Sequence, residues 1–71
     1  MPKLHSSKWI TKVLESKGFI FVSQKGSHIK FRKAENPTLT TIVPVGQEIP
    51  HGTFKSILRQ SNLSEDDFNK K

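Results

Sequence analysis

Phe19-Ile20-Phe21-Val22-Ser23-Gln24-Lys25-Gly26-Ser27-His28-Ile29-Lys30-Phe31-Arg32 is the stretch whose pattern decides the fold. Its first four residues are aromatic or β-branched, the composition that suits a pleated, half-buried strand. Lys25-Gly26 interrupts the run, and from Ser27 polar and apolar residues alternate. Successive side chains of a strand point to opposite faces. Ile29 and Phe31 therefore take one face, and His28, Lys30 and Arg32 the other. The core claims the apolar pair, so the histidine shares an open face with two cations. Two registers fit the turn. A two-residue turn at Lys25-Gly26 sets Ser23 opposite His28 and Phe21 opposite Lys30, whereas a three-residue loop with Gly26 left-handed pairs Phe21 with Ile29. His28 keeps its face in both.

Outward from this hairpin, the preceding segment has helical spacing. Ile10, Val13 and Leu14 recur on one face with Trp9 one turn before Val13, and Lys8, Lys12 and Glu15 fall on the other. Ser6 and Ser7 both suit the N-cap, and Gly18 suits the left-handed position after Lys17. Downstream, Lys33 to Pro37 is a loop, and Leu39-Thr40-Thr41-Ile42-Val43 is a third strand ended by Pro44. Val45 to Gly52 is a connector, and Thr53 is expected to cap a second helix. That helix has Phe54, Ile57 and Leu58 as its apolar stripe and Lys55 and Arg59 outward. Ser64 opens a last short helix, with Asp67 as a capping-box partner and Leu63 and Phe68 as a hydrophobic staple. Glu65, Asp66 and Asp67 then complement a helix N-terminus. A metal site is not expected from them, because adjacent helical residues do not converge.

The order predicts an α+β fold, α-β-β-β-α(-α), spanning residues 1–71 as one domain. Three antiparallel strands carry the helices on one face, burying Ile29, Phe31, Val13, Leu14, Ile57 and Leu58 together. Trp9 and the phenylalanines are mostly core. With 71 residues and 32% hydrophobic content the core is lean, which makes a protein partner that covers apolar surface plausible. Cysteine is absent, so disulfides and thiolate zinc sites are excluded, in keeping with a reducing cytoplasm. Met1-Pro2-Lys3-Leu4-His5 lacks the apolar run of a leader peptide, and no membrane span is expected.

Charge gives the first functional indication. The formal net charge is +6, and residues 1–60 carry ten basic against three acidic side chains. A body this basic favours a polyanion such as nucleic acid. His5, His28 and His51 lie in separate segments without metal-ligand spacing, and no phosphate-binding glycine loop precedes a helix. His5 reads as part of a free terminus and His51 as a loop residue. His28 remains. An imidazole can accept a proton from an attacking group or donate one to a leaving oxygen, and RNA supplies its own nucleophile in the 2′-hydroxyl. Lys30 and Arg32 on the same face add positive charge at a phosphate, and Lys25 can steer the backbone. Ser27 can donate to a phosphate oxygen, and Gly26 lets the RNA approach closely. A different class, a non-catalytic RNA-binding module of the same fold, is consistent with the same residues.

The ordered set Lys17-Gly18-Phe19, Gly26-Ser27-His28, Ile42-Val43-Pro44-Val45 and Glu48-Ile49-Pro50-His51-Gly52-Thr53-Phe54-Lys55-Ser56-Ile57-Leu58-Arg59-Gln60 resembles the HicA family of toxins. These are the mRNA interferase halves of bacterial type II toxin–antitoxin pairs. The resemblance implies a fold like a double-stranded RNA-binding domain and RNA cleavage without a metal or other cofactor. It also implies His28 in the catalytic position and inhibition by a HicB-type antitoxin covering the active face. Expected RNA contacts are Lys25, Lys30, Arg32, Lys55 and Arg59, with Gly26 and Ser27 supporting the site. The sequence departs from the family at two places: Ile29 stands where a second histidine often follows, and Val45-Gly46-Gln47 lacks another.

Overall fold

A computed structural model describes residues 5–69. Its elements are α1 (Ser7–Ser16), β1 (Ile20–Lys25), β2 (His28–Lys33), β3 (Leu39–Pro44), α2 (His51–Ser61) and α3 (Glu65–Asn69). The three strands form one antiparallel sheet in the order β1-β2-β3. The expected α+β class and element order are therefore observed. No described helix is long and apolar enough to cross a membrane. The expectation drawn from Met1 to Leu4, that no leader is present, lies outside the described residues.

Of the two candidate caps of α1, Ser6 is the one used: its Oγ accepts the Trp9 N–H at 3.1 Å. Ser7 serves a different purpose. Its Oγ accepts the Gly46 N–H while its own N–H donates to the Gly46 carbonyl, which ties the connector to the helix start. Gly18, at φ +100°, provides the left-handed exit that delivers Phe19 to the core, 2% exposed.

The hairpin register is neither of the two expected. The turn is Gly26-Ser27, one residue later, with Lys25 opposite His28, Gln24 opposite Ile29 and Ser23 opposite Lys30. Gly26 has φ +59°, the positive φ that a type II′ turn requires of its first central residue. A bulge then shifts the register between Phe21 and Ser23, so that Phe21 faces Phe31 and Ile20 faces Arg32. The two phenylalanine rings meet edge to face at 6.2 Å. The extra residue thus recovers an aromatic pair that regular pairing from this turn would have broken.

Thr53 does not cap α2. The helix begins three residues earlier than that cap implies, at His51, with Pro50 as N-cap and no side-chain capping bond. The Pro50 carbonyl accepts the first helical bond, from Phe54 N–H, and the proline ring has already set the chain direction. His51 is accordingly a helical residue rather than a loop residue. Asn62, at φ +59°, ends the helix.

The core contains Ile10, Val13, Leu14, Phe19, Phe31, Val43, Ile49, Phe54, Ile57, Leu58 and Phe68. Ile29 packs against it only partly buried, and Phe21 is the phenylalanine left out, 54% exposed. Half of the expected capping box forms at α3: Asp67 Oδ2 accepts the Ser64 N–H at 2.9 Å and the Ser64 hydroxyl at 3.2 Å, while the Asp67 N–H donates to the Ser64 carbonyl rather than to its Oγ. Trp9 Nε1 donates to the Phe68 carbonyl at 2.8 Å, pinning α3 to α1. His5 is not a free terminus. Its ring lies 4.9 Å from that of Phe54, and its carbonyl accepts the Ile49 N–H. An imidazole has enough apolar body to extend the aromatic cluster, which the sequence pattern did not reveal.

Candidate nucleic-acid face

Alternation along β2 and β3 separates the two sides of the sheet. Phe31, Thr41 and Val43 are buried under the helices. His28, Lys30 and Arg32 therefore face away from them, opposite Pro44, Ile42 and Thr40 of β3. On the β1 side the partners of the same three residues are Lys25, Ser23 and Ile20. Directly opposed residues project to one side of an antiparallel pair. The open face is thus a grid: Lys25, His28 and Pro44 in one row, Ser23, Lys30 and Ile42 in the next, Ile20, Arg32 and Thr40 in the third.

Lys25, His28 and Arg32 are exposed, and Lys30 is half-buried. Among the described residues no carboxylate lies within ion-pair distance of Lys25, Lys30 or Arg32. The turn beneath His28 is braced at two points. Gln24 Nε2 donates to the Gly26 carbonyl at 3.0 Å, and the Ser27 carbonyl accepts the Val45 N–H at 2.7 Å. A Cβ at Gly26 would meet nothing within 4 Å, so the space over the turn is open.

Three other cations are paired with carboxylates away from this face. Lys33, next to Arg32, turns to the helix side, where it pairs with Glu35 at 2.9 Å and lies over the Phe19 ring. Lys17 pairs with Asp67 at 3.2 Å and Lys55 with Glu65 at 2.9 Å. The Lys55 hydrogen bond and charge hold the Glu65 carboxyl below its ordinary range. A backbone hydrogen bond from Ser64, then Lys17, does the same for Asp67. Lys55 and Arg59 belong to α2, in the helix layer, so the structure does not bring them to the face of His28. His5 and His51 both lie beside Phe54, also apart from His28.

The direct pairing of Lys25 with His28 follows from neither register open to the sequence, because the turn is Gly26-Ser27. The available signal was that Gly at the first of two turn positions marks a type II′ hairpin, with Lys25 and His28 flanking it.

Fold and face together define a small basic α+β domain that leaves one side of a three-stranded sheet open and cationic. Over residues 7–63 the sequence matches the family model of the HicA toxin of bacterial toxin–antitoxin systems, and the chain belongs to that family. No curated protein matches it.

Proposed function

We propose that this chain is an endoribonuclease, an mRNA interferase whose catalytic residue is His28 and which needs no cofactor. The observation that carries the reading is the grid of the open face. An exposed histidine stands in register with Lys25 and on the same side as Lys30 and Arg32, with no described carboxylate neutralising them. His28 takes the proton of the RNA 2′-hydroxyl as that oxygen attacks the phosphorus, and the bond to the 5′-oxygen breaks. The leaving oxygen takes up a proton from solvent water at this exposed face, and the products are a 2′,3′-cyclic phosphate and a 5′-hydroxyl. Lys25, nearest in register, offers positive charge where the phosphoryl oxygens gain it, while Lys30 and Arg32 hold the flanking phosphates. Gly26 and Ser27 keep the entrance low and offer a hydroxyl donor. The substrate places the activity in the cytoplasm, and a HicB-type antitoxin covering this face restrains it.

Induced expression of wild type and His28→Ala in a bacterium, with total RNA examined, tests the proposal. Growth arrest and RNA decay are expected from wild type alone. Equal decay from both removes His28 from the chemistry, and RNA binding without decay from either identifies a non-catalytic RNA-binding module. Cleavage by the purified protein should persist in EDTA.

A further inference from the structure

We propose that the antitoxin covering the open face is anchored at the outer edge of β1, where it adds an extended acidic segment to the sheet as a fourth strand. This rests on the antitoxin part of the function proposed above, and not on the chemistry of His28.

β1 and β3 are both edge strands, but β3 is the more heavily guarded of the two. Lys25 and His28 flank a two-residue turn, so they form the hydrogen-bonded pair beside it. From that parity, His28, Lys30 and Arg32 direct their backbone groups to β1, and Ile29, Phe31 and Lys33 direct theirs to β3. The outward positions of β3 are then Thr40, Ile42 and Pro44. Pro44 has no N–H to offer, and the Ile42 N–H is taken by Gln60 Oε1 at 3.3 Å. The helices pack chiefly over this same strand. A β3 so capped and covered is a poor template for pairing.

The outward positions of β1 are Phe21 and Gln24, and no hydrogen bond among the described residues reaches their amides. All six residues of the strand are exposed. Three of them are apolar and consecutive: Ile20, Phe21 and Val22 are 66%, 54% and 38% exposed. Free backbone groups beside exposed apolar side chains are the two components of strand addition, the first giving affinity and the second specificity.

Charge selects the occupant. The hairpin from Ile20 to Lys33 contains no acid, and its Lys25, Lys30 and Arg32 have no carboxylate partner among the described residues. A second copy would set these cations against their own kind, and the bulge at Val22 twists the edge away from flat self-pairing. A strand bearing Asp or Glu meets no such repulsion. RNA phosphates find cations on the His28 face, but a nucleic acid backbone does not match the amide spacing of a strand edge.

The test is amide hydrogen exchange of the full chain, alone and with the antitoxin encoded beside it. Exchange should slow at Phe21 and Gln24 in the complex. Gln24→Pro removes one outward donor where proline is tolerated, and should weaken antitoxin binding about tenfold or more. Should that variant fail to fold, Ile20→Glu, at the most exposed apolar position, must weaken binding through repulsion of the acidic strand. Protection confined to Lys30, Arg32 and their neighbours, or unaltered binding by the folded variants, overturns the proposal. So does protection of Phe21 and Gln24 by a short single-stranded RNA rather than by the antitoxin. Binding is read without RNA cleavage, so an inactive toxin leaves this result standing, and a failed edge leaves the nuclease reading standing.

Discussion

His28 and Lys25 are made neighbours by a turn, not by sequence proximity alone. Their register across β1 and β2 puts a point charge beside an imidazole on an exposed face. If charge is what Lys25 supplies, proton transfer is not required of it. Lys25→Ala should then lower single-turnover cleavage about 10²-fold, and Lys25→Arg should recover most of the loss. Equal damage from both variants would assign Lys25 a proton-transfer role instead. The two facing phenylalanines make a second contrast at this scale. Phe31 is 1% exposed and Phe21 54% exposed. Phe31→Ala should cost about 3–5 kcal/mol in denaturant unfolding, through lost burial and the cavity left behind. Phe21→Ala should cost about 1 kcal/mol or less, because most of its ring is already in water. Such a cheap phenylalanine on an edge strand is more useful to a partner than to the fold.

Among the elements, α3 depends most on ionisation. Lys55 holds the Glu65 carboxyl below its ordinary range, and Ser64 and Lys17 hold that of Asp67 there. For a carboxylate with a depressed folded pKa, the stabilisation is full above the unfolded value of about 4 and is lost as pH falls through the folded one. The Trp9–Phe68 bond should therefore weaken on acidification below about pH 4, read as a change in Trp9 fluorescence. Asp67→Asn should shift that transition, and no transition in either protein would deny these carboxylates a role in docking α3. The hairpin shows how far sequence alone reaches. Alternation in Ser27 to Arg32 is a local signal, and it placed His28, Lys30 and Arg32 on one face correctly. Register depends on where positive φ falls and on an inserted residue, and neither leaves a period in the sequence. Hence Gly26 marks the turn in the sequence, which leaves its position within the turn open; the structure makes it the first central residue. Thr53 failed as a cap for a similar reason: a good capping residue sat one turn inside a helix that proline had already started. Gly26→Ala tests the turn directly. With nothing within 4 Å of the new methyl, its cost comes from backbone strain alone, about 1–3 kcal/mol.

At the level of the whole molecule, the net charge of +6 conceals a division of labour. The acids of α3 neutralise Lys17 and Lys55 in the helix layer, and Glu35 engages Lys33. Lys25, Lys30 and Arg32 face the other side with no described partner. Lys8, Lys12 and Arg59 of the helix layer form no ion pair among the described residues either, so it is the clustering beside His28 that should make RNA binding draw on the sheet face rather than on total charge. Each phosphate contact to a single strand contributes about 0.7 to the slope of log affinity against log salt. Lys30→Ala should accordingly reduce the slope by about 0.7. Lys55→Ala removes the same formal charge, yet should leave the slope unchanged while loosening α3, since its ammonium is already paired with Glu65. Titrating a non-cleavable single-stranded RNA at several salt concentrations measures both variants. Equal slope losses would mean that RNA reaches across both layers, and that the open face of the sheet is only part of the binding surface.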